Sequence, residues 1–434
     1  MKPLAFQILG RYRLSGLLCF WLFVSTCPSA AQAPVPKTQT FREVLDQLLN
    51  SHPALKAARQ RLAGSQAWAE GAGAQPNPQL RLSVPKGDPS EEANALVQRL
   101  EIGGQPGLRS KIATLQTEQA DARLLDVQRT LGMRSADAYY TLWSTRETVG
   151  VFELRTELAR KLQAAAERRL KAGEIAENQY LRAELEQAQA EAQLAQARGQ
   201  RKTALNLLNI LLQRPADQDF LLPTGAVPEE ALPEPTRATL LQRINLRPEI
   251  RVAELTAQIT RLEADLLGRQ RVPDLEFEAY RSSLGPGAEQ GVRLSLVLPL
   301  WDWGQTGAAV ERREREAEAA ETDVLVQRQL VEQEVLAAWE LYLSERERRE
   351  ILRGQIQRFY RQADLARRGY EAGLLTLLEV LEAQRAYRES TLEYVAAETA
   401  FQKRRWDIHW LYGVSLNEDL IPIPSPPPEK EQER

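Results

Sequence analysis

The chain has 434 residues, 43% hydrophobic and 26% charged, with a formal net charge of −3. That length suffices for one large or two medium domains, and the lack of a basic excess argues against nucleic acid as a partner. With two cysteines (Cys19, Cys27) and two histidines (His52, His409), disulfide frameworks, zinc ribbons and Cys/His metal or cofactor centres are excluded by inventory.

The first 31 residues have the pattern of a secretory signal. Lys2, Arg11 and Arg13 precede an apolar run from Leu14 to Val24, and small residues follow at Ser29-Ala30-Ala31. A basic head, a short apolar core and a small-residue cleavage zone make such a signal, and the run is shorter than the roughly 18 residues of a membrane-spanning helix. Val24-Ser25-Thr26-Cys27 also resembles a lipoprotein box, with threonine unusual before the cysteine, so two cleavage sites stay open. Removal of this segment leaves 53 basic against 59 acidic residues. No later apolar stretch of about 20 residues occurs, so a closed β-barrel is the remaining way to cross a bilayer.

From there the chain writes one plan twice. A helix is predicted from Phe41 to Ala72, with His52-Pro53 near its start. Alternation then predicts a strand over Pro78–Val84 (Leu80, Leu82 and Val84 on one face) and a second over Leu96–Ile102 (Leu96, Leu100 and Ile102). After Gly104-Gln105-Pro106-Gly107 a proline-free helix runs to about Leu170. A turn at Gly173 and a helix from Ile175 to Gln213 close the unit. The second unit repeats this order: a helix over Thr236–Arg269 with Arg247-Pro248, strands around Leu275–Tyr280 and Val292–Leu298, and Gly304-Gln305-Thr306-Gly307. A long helix to Tyr370, Gly373 and a helix from Leu375 to Tyr412 follow. The offset is 195 at the proline elements and 200 from the GQxG elements onward, and the five-residue difference is assigned to the hairpin loops. The resulting boundaries are 38–213 for the first unit, 214–235 for a proline-rich connector, 236–413 for the second unit and 414–434 for a disordered tail.

The long helices carry stripes at steps of four and three: Leu181, Leu185, Ala188, Ala192, Ala195 and Gly199 in one, Ala317, Ala320, Val324, Val331, Val335, Ala338 and Tyr342 in the other. Such steps keep one seam on a partner helix. About 64 residues at about 1.5 Å each give a helix near 96 Å, far beyond the usual three or four turns. Four strands cannot close a barrel, because the smallest outer-membrane barrels need about eight; three copies supply twelve. A four-stranded cap on a periplasmic bundle is the competing reading. No H-E-x-x-H, G-x-S-x-G, P-loop or dinucleotide fingerprint occurs. No enzyme, catalytic residue, cofactor or metal site is therefore expected.

The duplicated plan, "LEIGGQPGLR" at Leu100–Arg109, "LPLWDWGQTGA" at Leu298–Ala308, and the segments "RRLKAGEIAENQYLRAE" and "YEAGLLTLLEVLEAQRAY" together resemble the TolC-type outer membrane efflux protein family over Phe41–Gly413. The resemblance implies a mainly α fold with a transmembrane β-barrel: a homotrimer whose twelve-stranded barrel sits on a long α-helical tunnel. It implies residence in the outer membrane of a Gram-negative-type bacterium, reaching through the periplasm to an adaptor and an inner-membrane pump. The implied function is a passive exit duct. The alternatives are a pore-less periplasmic scaffold and a type I protein secretion duct. The "LE-x-GG" strand end is most similar to the branch that serves heavy-metal cation pumps of the resistance-nodulation-division type.

By position, Trp301 and Trp303 then fall where an aromatic belt meets the membrane interface. Gly104, Gly107, Gly304 and Gly307 fall at the strand-to-helix junctions, where φ > 0 is useful. Gly173 and Gly373 fall at the periplasmic tip turns. In the family an acidic pair lines the constricted tip. Here the matching segment is Glu379-Val380-Leu381-Glu382-Ala383, with glutamate in place of the usual aspartate, and the first unit has Gln179 and Arg182 instead. Three copies of Glu379 and Glu382 would ring one axis with carboxylates.

Overall fold

The computed structural model describes residues 38–82, 93–223, 235–282, 290–300 and 303–411. The expected signal segment with both cysteines, Val84, Trp301, the later part of the expected connector and the expected tail lie outside them. In chain order come α1 (Phe41–Ser51), α2 (Pro53–Gly71), β1 (Gln79–Arg81), β2 (Ala93–Leu100), α3 (Gln105–Lys171) and α4 (Glu177–Leu211). The second half has α5 (Arg237–Gln242), α6 (Pro248–Gly268), β3 (Asp274–Ser282), β4 (Gln290–Val297), α7 (Gln305–Glu371) and α8 (Leu377–Leu411).

The duplication is metrical. α3 and α7 each have 67 residues, α4 and α8 each have 35, and their starts differ by 200 positions. At about 1.5 Å per residue the long helices span about 100 Å. The offset is 195 at β1/β3, 197 at β2/β4 and 200 at the junction glycines. The hairpin thus absorbs only two of the five residues, and three lie between β4 and Gly304. The two opening helices are also not continuous. His52 and Arg247 are extended (ψ 131° and 133°) because each precedes a proline, and the proline starts a new helix at its first position.

α2 and α4 pack against α3, while α6 and α8 each lie between α3 and α7. The layer therefore reads α2/α4, α3, α6/α8, α7, with α4 and α7 at its borders. On α7 the expected stripe is the packed one: Ala317, Val331, Val335 and Tyr342 are buried, and Ala320, Val324 and Ala338 are half-buried. On α4 it is not. Ala183, Ala190, Leu194, Ala197, Ala204 and Leu208 are buried, whereas all six residues of the expected stripe are exposed. Both rows step by heptad intervals, so periodicity alone could not choose between them. α4 carries one row for α3 and a second with no cover among the described residues.

The main core joins the two units at mid-height. Phe41, Leu45 and Leu48 of α1 meet Tyr139, Tyr140 and Trp143 of α3, Leu208 of α4, and Trp406 and Trp410 of α8. Trp406 Nε1 donates to the Tyr140 hydroxyl at 2.9 Å. Phe220 and Leu222 also enter this core, and Asn209 Nδ2 donates to the Gln218 carbonyl at 2.7 Å. The first third of the expected connector is thus packed structure.

His409 is only 6% exposed, lies 5.2 Å from the Trp406 ring and 6.0 Å from the Trp410 ring, and neither ring nitrogen has a hydrogen-bond partner among the described residues. Burial, with Arg405 and Arg42 adding to it, lowers its pKa to about 4. Between pH 6.5 and 4 the unfolded chain takes up a proton that the folded one refuses, so stability falls as pH falls through that window. At most about 3 kcal/mol is at stake. Chemical denaturation at pH 7 and pH 4.5 should show this loss, and His409→Phe should reduce it.

Candidate functional site in the sheet and the helical tip

The four strands form one antiparallel sheet in the order β1-β2-β3-β4, although α3 to α6 separate β2 from β3 in the chain. The register places Leu80 beside Leu96, Leu96 beside Ala279, and Ala279 beside Val292. Because paired residues share a face, Leu80, Leu96, Leu100, Leu275, Phe277, Val292, Leu294 and Leu296 lie together. Most of these are exposed. Ile102 lies past the end of β2.

The opposite face is charged and cross-linked. Arg99 Nε donates to Asp274 Oδ2 at 2.8 Å, Arg293 pairs with Glu278 at 3.1 Å, and Arg81 lies 3.8 Å from Glu276. The Arg293 guanidinium also stands 5.3 Å over the Tyr280 ring. One apolar face and one charged face, with side chains alternating between them along the strands, match the wall pattern of a membrane barrel. Among the described residues β1 and β4 are the edges of the sheet, each paired on one side only.

At the junctions Gly104 and Gly304 both adopt φ +83° and serve as N-caps of α3 and α7. Gly107 and Gly307 do not share this role. They lie in the first helical turn, where an α-region backbone needs no glycine. Trp303, beside Gly304, is 94% exposed.

At the far end of the helices Gly173 (φ +75°) and Gly373 (φ +77°) make matching turns. Gly173 N donates to Leu170 O at 2.9 Å and Glu174 N to Arg169 O at 2.9 Å. Gly373 N donates to Tyr370 O at 3.0 Å and Leu374 N to Gly369 O at 2.8 Å. These are Schellman caps, which satisfy the last helix carbonyls and require a left-handed residue. The Arg169 guanidinium stands 5.3 Å from the Tyr370 ring, so the turns are neighbours.

Glu379 and Glu382 are both exposed on the first turns of α8, but in different states. Glu379 completes a capping box. Its Oε2 accepts from Thr376 N at 2.7 Å and from the Thr376 hydroxyl at 2.8 Å, and its own N–H donates back to Thr376 Oγ1 at 3.4 Å. The Thr376 backbone N–H, then the hydroxyl, hold its carboxyl below the usual carboxylate range. Glu382 has no hydrogen bond or ion pair among the described residues. The first unit has Ala176 and Gln179 at the matching places and no side-chain cap.

One charged group eluded the sequence reading. Arg247 is 2% exposed and donates to Glu249 at 3.0 Å and Glu334 at 3.1 Å, while Arg129 of α3 also reaches both acids. Burial pushes the Glu249 carboxyl up, but Arg247 and Arg129 outweigh it and hold it below the ordinary value. The only local signal was an arginine directly before a helix-starting proline.

A helical wall about 100 Å long, continued by a sheet with one apolar and one ion-paired face, defines a class: the subunit of a membrane channel-tunnel. Residues 44–212 and 240–413 match the family model described as outer membrane efflux protein, and the chain belongs to that family. It is an outer-membrane efflux component that extends into the periplasm, and its relatives are efflux channels rather than enzymes. It is 27% identical over 386 residues to the cobalt-zinc-cadmium resistance protein CzcC of Cupriavidus metallidurans, covering 86% of this chain and 88% of that one. The solved structure of CusC shares the fold with TM-score 0.74 at 15% identity, covering 88% of this chain and 93% of that one. The MtrE outer membrane channel of Neisseria gonorrhoeae, solved in an open state, gives TM-score 0.71 at 18% identity over 86% and 88% of the two chains.

Proposed function

We propose that three copies close the sheet into a twelve-stranded barrel and the helical layers into one tube. This tube is the exit duct of a tripartite efflux system. The observation that carries the reading is the sheet itself, two-faced and open at both edges. The borders of the helical layer agree with it. α4 exposes Leu181 and Leu185, and α7 exposes Leu325 and Leu330, as expected of faces that meet in a neighbouring copy. Trp303 then lies at the periplasmic membrane interface. CzcC, a relative named for cobalt, zinc and cadmium resistance, points to divalent heavy-metal cations as cargo. The choice of cargo is assigned to an inner-membrane pump of the resistance-nodulation-division type and its periplasmic adaptor. Glu379 and Glu382 are assigned to the periplasmic constriction.

The test is insertion and conduction. The purified chain should form SDS-resistant trimers and discrete channels in planar bilayers. Leu294→Arg places a cation on the apolar face at a cost of about 2–4 kcal/mol per copy and should reduce insertion sharply. A folded protein that gives no channels, with Leu294→Arg indistinguishable from wild type, would favour the pore-less scaffold.

A further inference from the structure

A cavity of about 270 Å³ opens between α3, α7 and α8, in the half of the wall nearer the Gly173 and Gly373 turns. Leu154, Leu158, Leu162 and Leu381 line it, with the rings of Tyr360 and Tyr387 meeting edge to face at 5.7 Å. Four arginines also line it, and three are satisfied. Arg155 donates to Glu186 at 2.6 Å, Arg367 to Asp364 at 2.9 Å, and Arg385 to Glu389 at 2.8 Å. Arg388 is the exception. Its side chain is 18% exposed and has no hydrogen-bond partner among the described residues. Of the two acids beside it, Glu389 is 4.0 Å away and engaged by Arg385, and Glu186 is engaged by Arg155.

A half-buried guanidinium with no protein acceptor in hydrogen-bond range keeps only the little water that reaches it. Burial, and then the like charge of Arg155, press Arg388 below the usual arginine range. Glu186 and Glu389 offset part of this, and an anion seated against Arg388 would offset the rest. Leucine and tyrosine walls around one open cation select for a flat apolar body with one charged end. A carboxylate matches the planar guanidinium fork with two parallel hydrogen bonds.

We propose that this cavity binds a small apolar carboxylate, gripped by Arg388, with its hydrocarbon part held among the leucines and tyrosines. The ligand would lie against α8, the helix that carries Glu379 and Glu382. The proposal does not depend on three copies forming a duct, because every lining residue belongs to one chain.

The test is saturation-transfer NMR and calorimetry with 2-naphthoate, using the full-length protein in lipid nanodiscs and neutral 2-naphthamide as the control. Wild type should bind the acid saturably, one per chain, and the amide about tenfold more weakly. Arg388→Gln should weaken the acid about tenfold without changing the amide, Arg388→Lys should retain part of the binding, and Leu158→Trp should block both by filling the cavity. The proposal is overturned if wild type shows no saturable binding, if the amide binds as well as the acid, or if folded Arg388→Gln binds the acid like wild type. If Arg388→Gln fails to fold, the acid-to-amide ratio on wild type decides.

Discussion

Glu382→Gln should weaken divalent-cation block of the reconstituted channel about tenfold, or about 1.4 kcal/mol, while Glu379→Gln should change it by no more than about twofold. The asymmetry follows from the capping box. Glu379 is tied to Thr376 through two hydrogen bonds and spends its charge on the start of α8, whereas Glu382 faces solvent with no partner among the described residues. Glutamine at the third helical position can still complete a capping box, so Glu379→Gln removes charge without removing the cap. Thr376→Ala is the converse. It removes the cap hydroxyl, costs about 1 kcal/mol of helix stability, and frees Glu379 to add to the block. Single-channel recordings with graded divalent cation on the periplasmic side would decide. Equal loss in both glutamate variants would end the division of roles, and no loss in either would end the gate assignment.

Arg247→Ala should destabilise the folded chain by about 4 kcal/mol, the range for removing one member of a buried charge group. Arg247 is 2% exposed and bridges Glu249 of α6 to Glu334 of α7, with Arg129 of α3 on the other side. Its loss leaves two carboxylates sharing one cation and a cavity beneath them. Glu334→Gln should cost only about 1 kcal/mol, because its side chain is 42% exposed and water can replace the pair. Urea unfolding followed by tryptophan fluorescence measures both. Similar losses in the two variants would mean that burial is not what makes this group matter.

The duplicated plan, the four strands and the tip turns were legible because each rests on local pattern: alternation, proline and glycine placement, and proline-free runs of helix formers. The choice between two heptad rows on α4 was not legible. Both have the right spacing, and only the position of α4 at the border of the layer decides which is covered. Gly104 and Gly304 were legible as junction residues, but their GQxG partners were over-read, since a glycine one helical turn on needs no special conformation. The acidic pair was visible as a pair. Its split into a capping residue and a free acid depended on Thr376, which has alanine at the matching position of the first unit. The Arg129, Arg247, Glu249 and Glu334 group joins three helices, and only Arg247 and Glu249 are neighbours in the chain, so it left almost no local trace.

The equal lengths of α3 with α7 and of α4 with α8 have a consequence for how such a chain can change size. Adding one residue to a single helix rotates everything beyond it by about 100° and advances it by about 1.5 Å, so the packed row turns away from its neighbour. An insertion of seven residues nearly restores the phase. It also lengthens that helix by about 10.5 Å, and its neighbours must lengthen with it for the ends to stay flush. The span of this wall is therefore quantised: it can grow or shrink only in whole heptads, made simultaneously across the layer. Single-residue drift is confined to the hairpins and the strand-to-helix joints, where the two halves of the chain do differ.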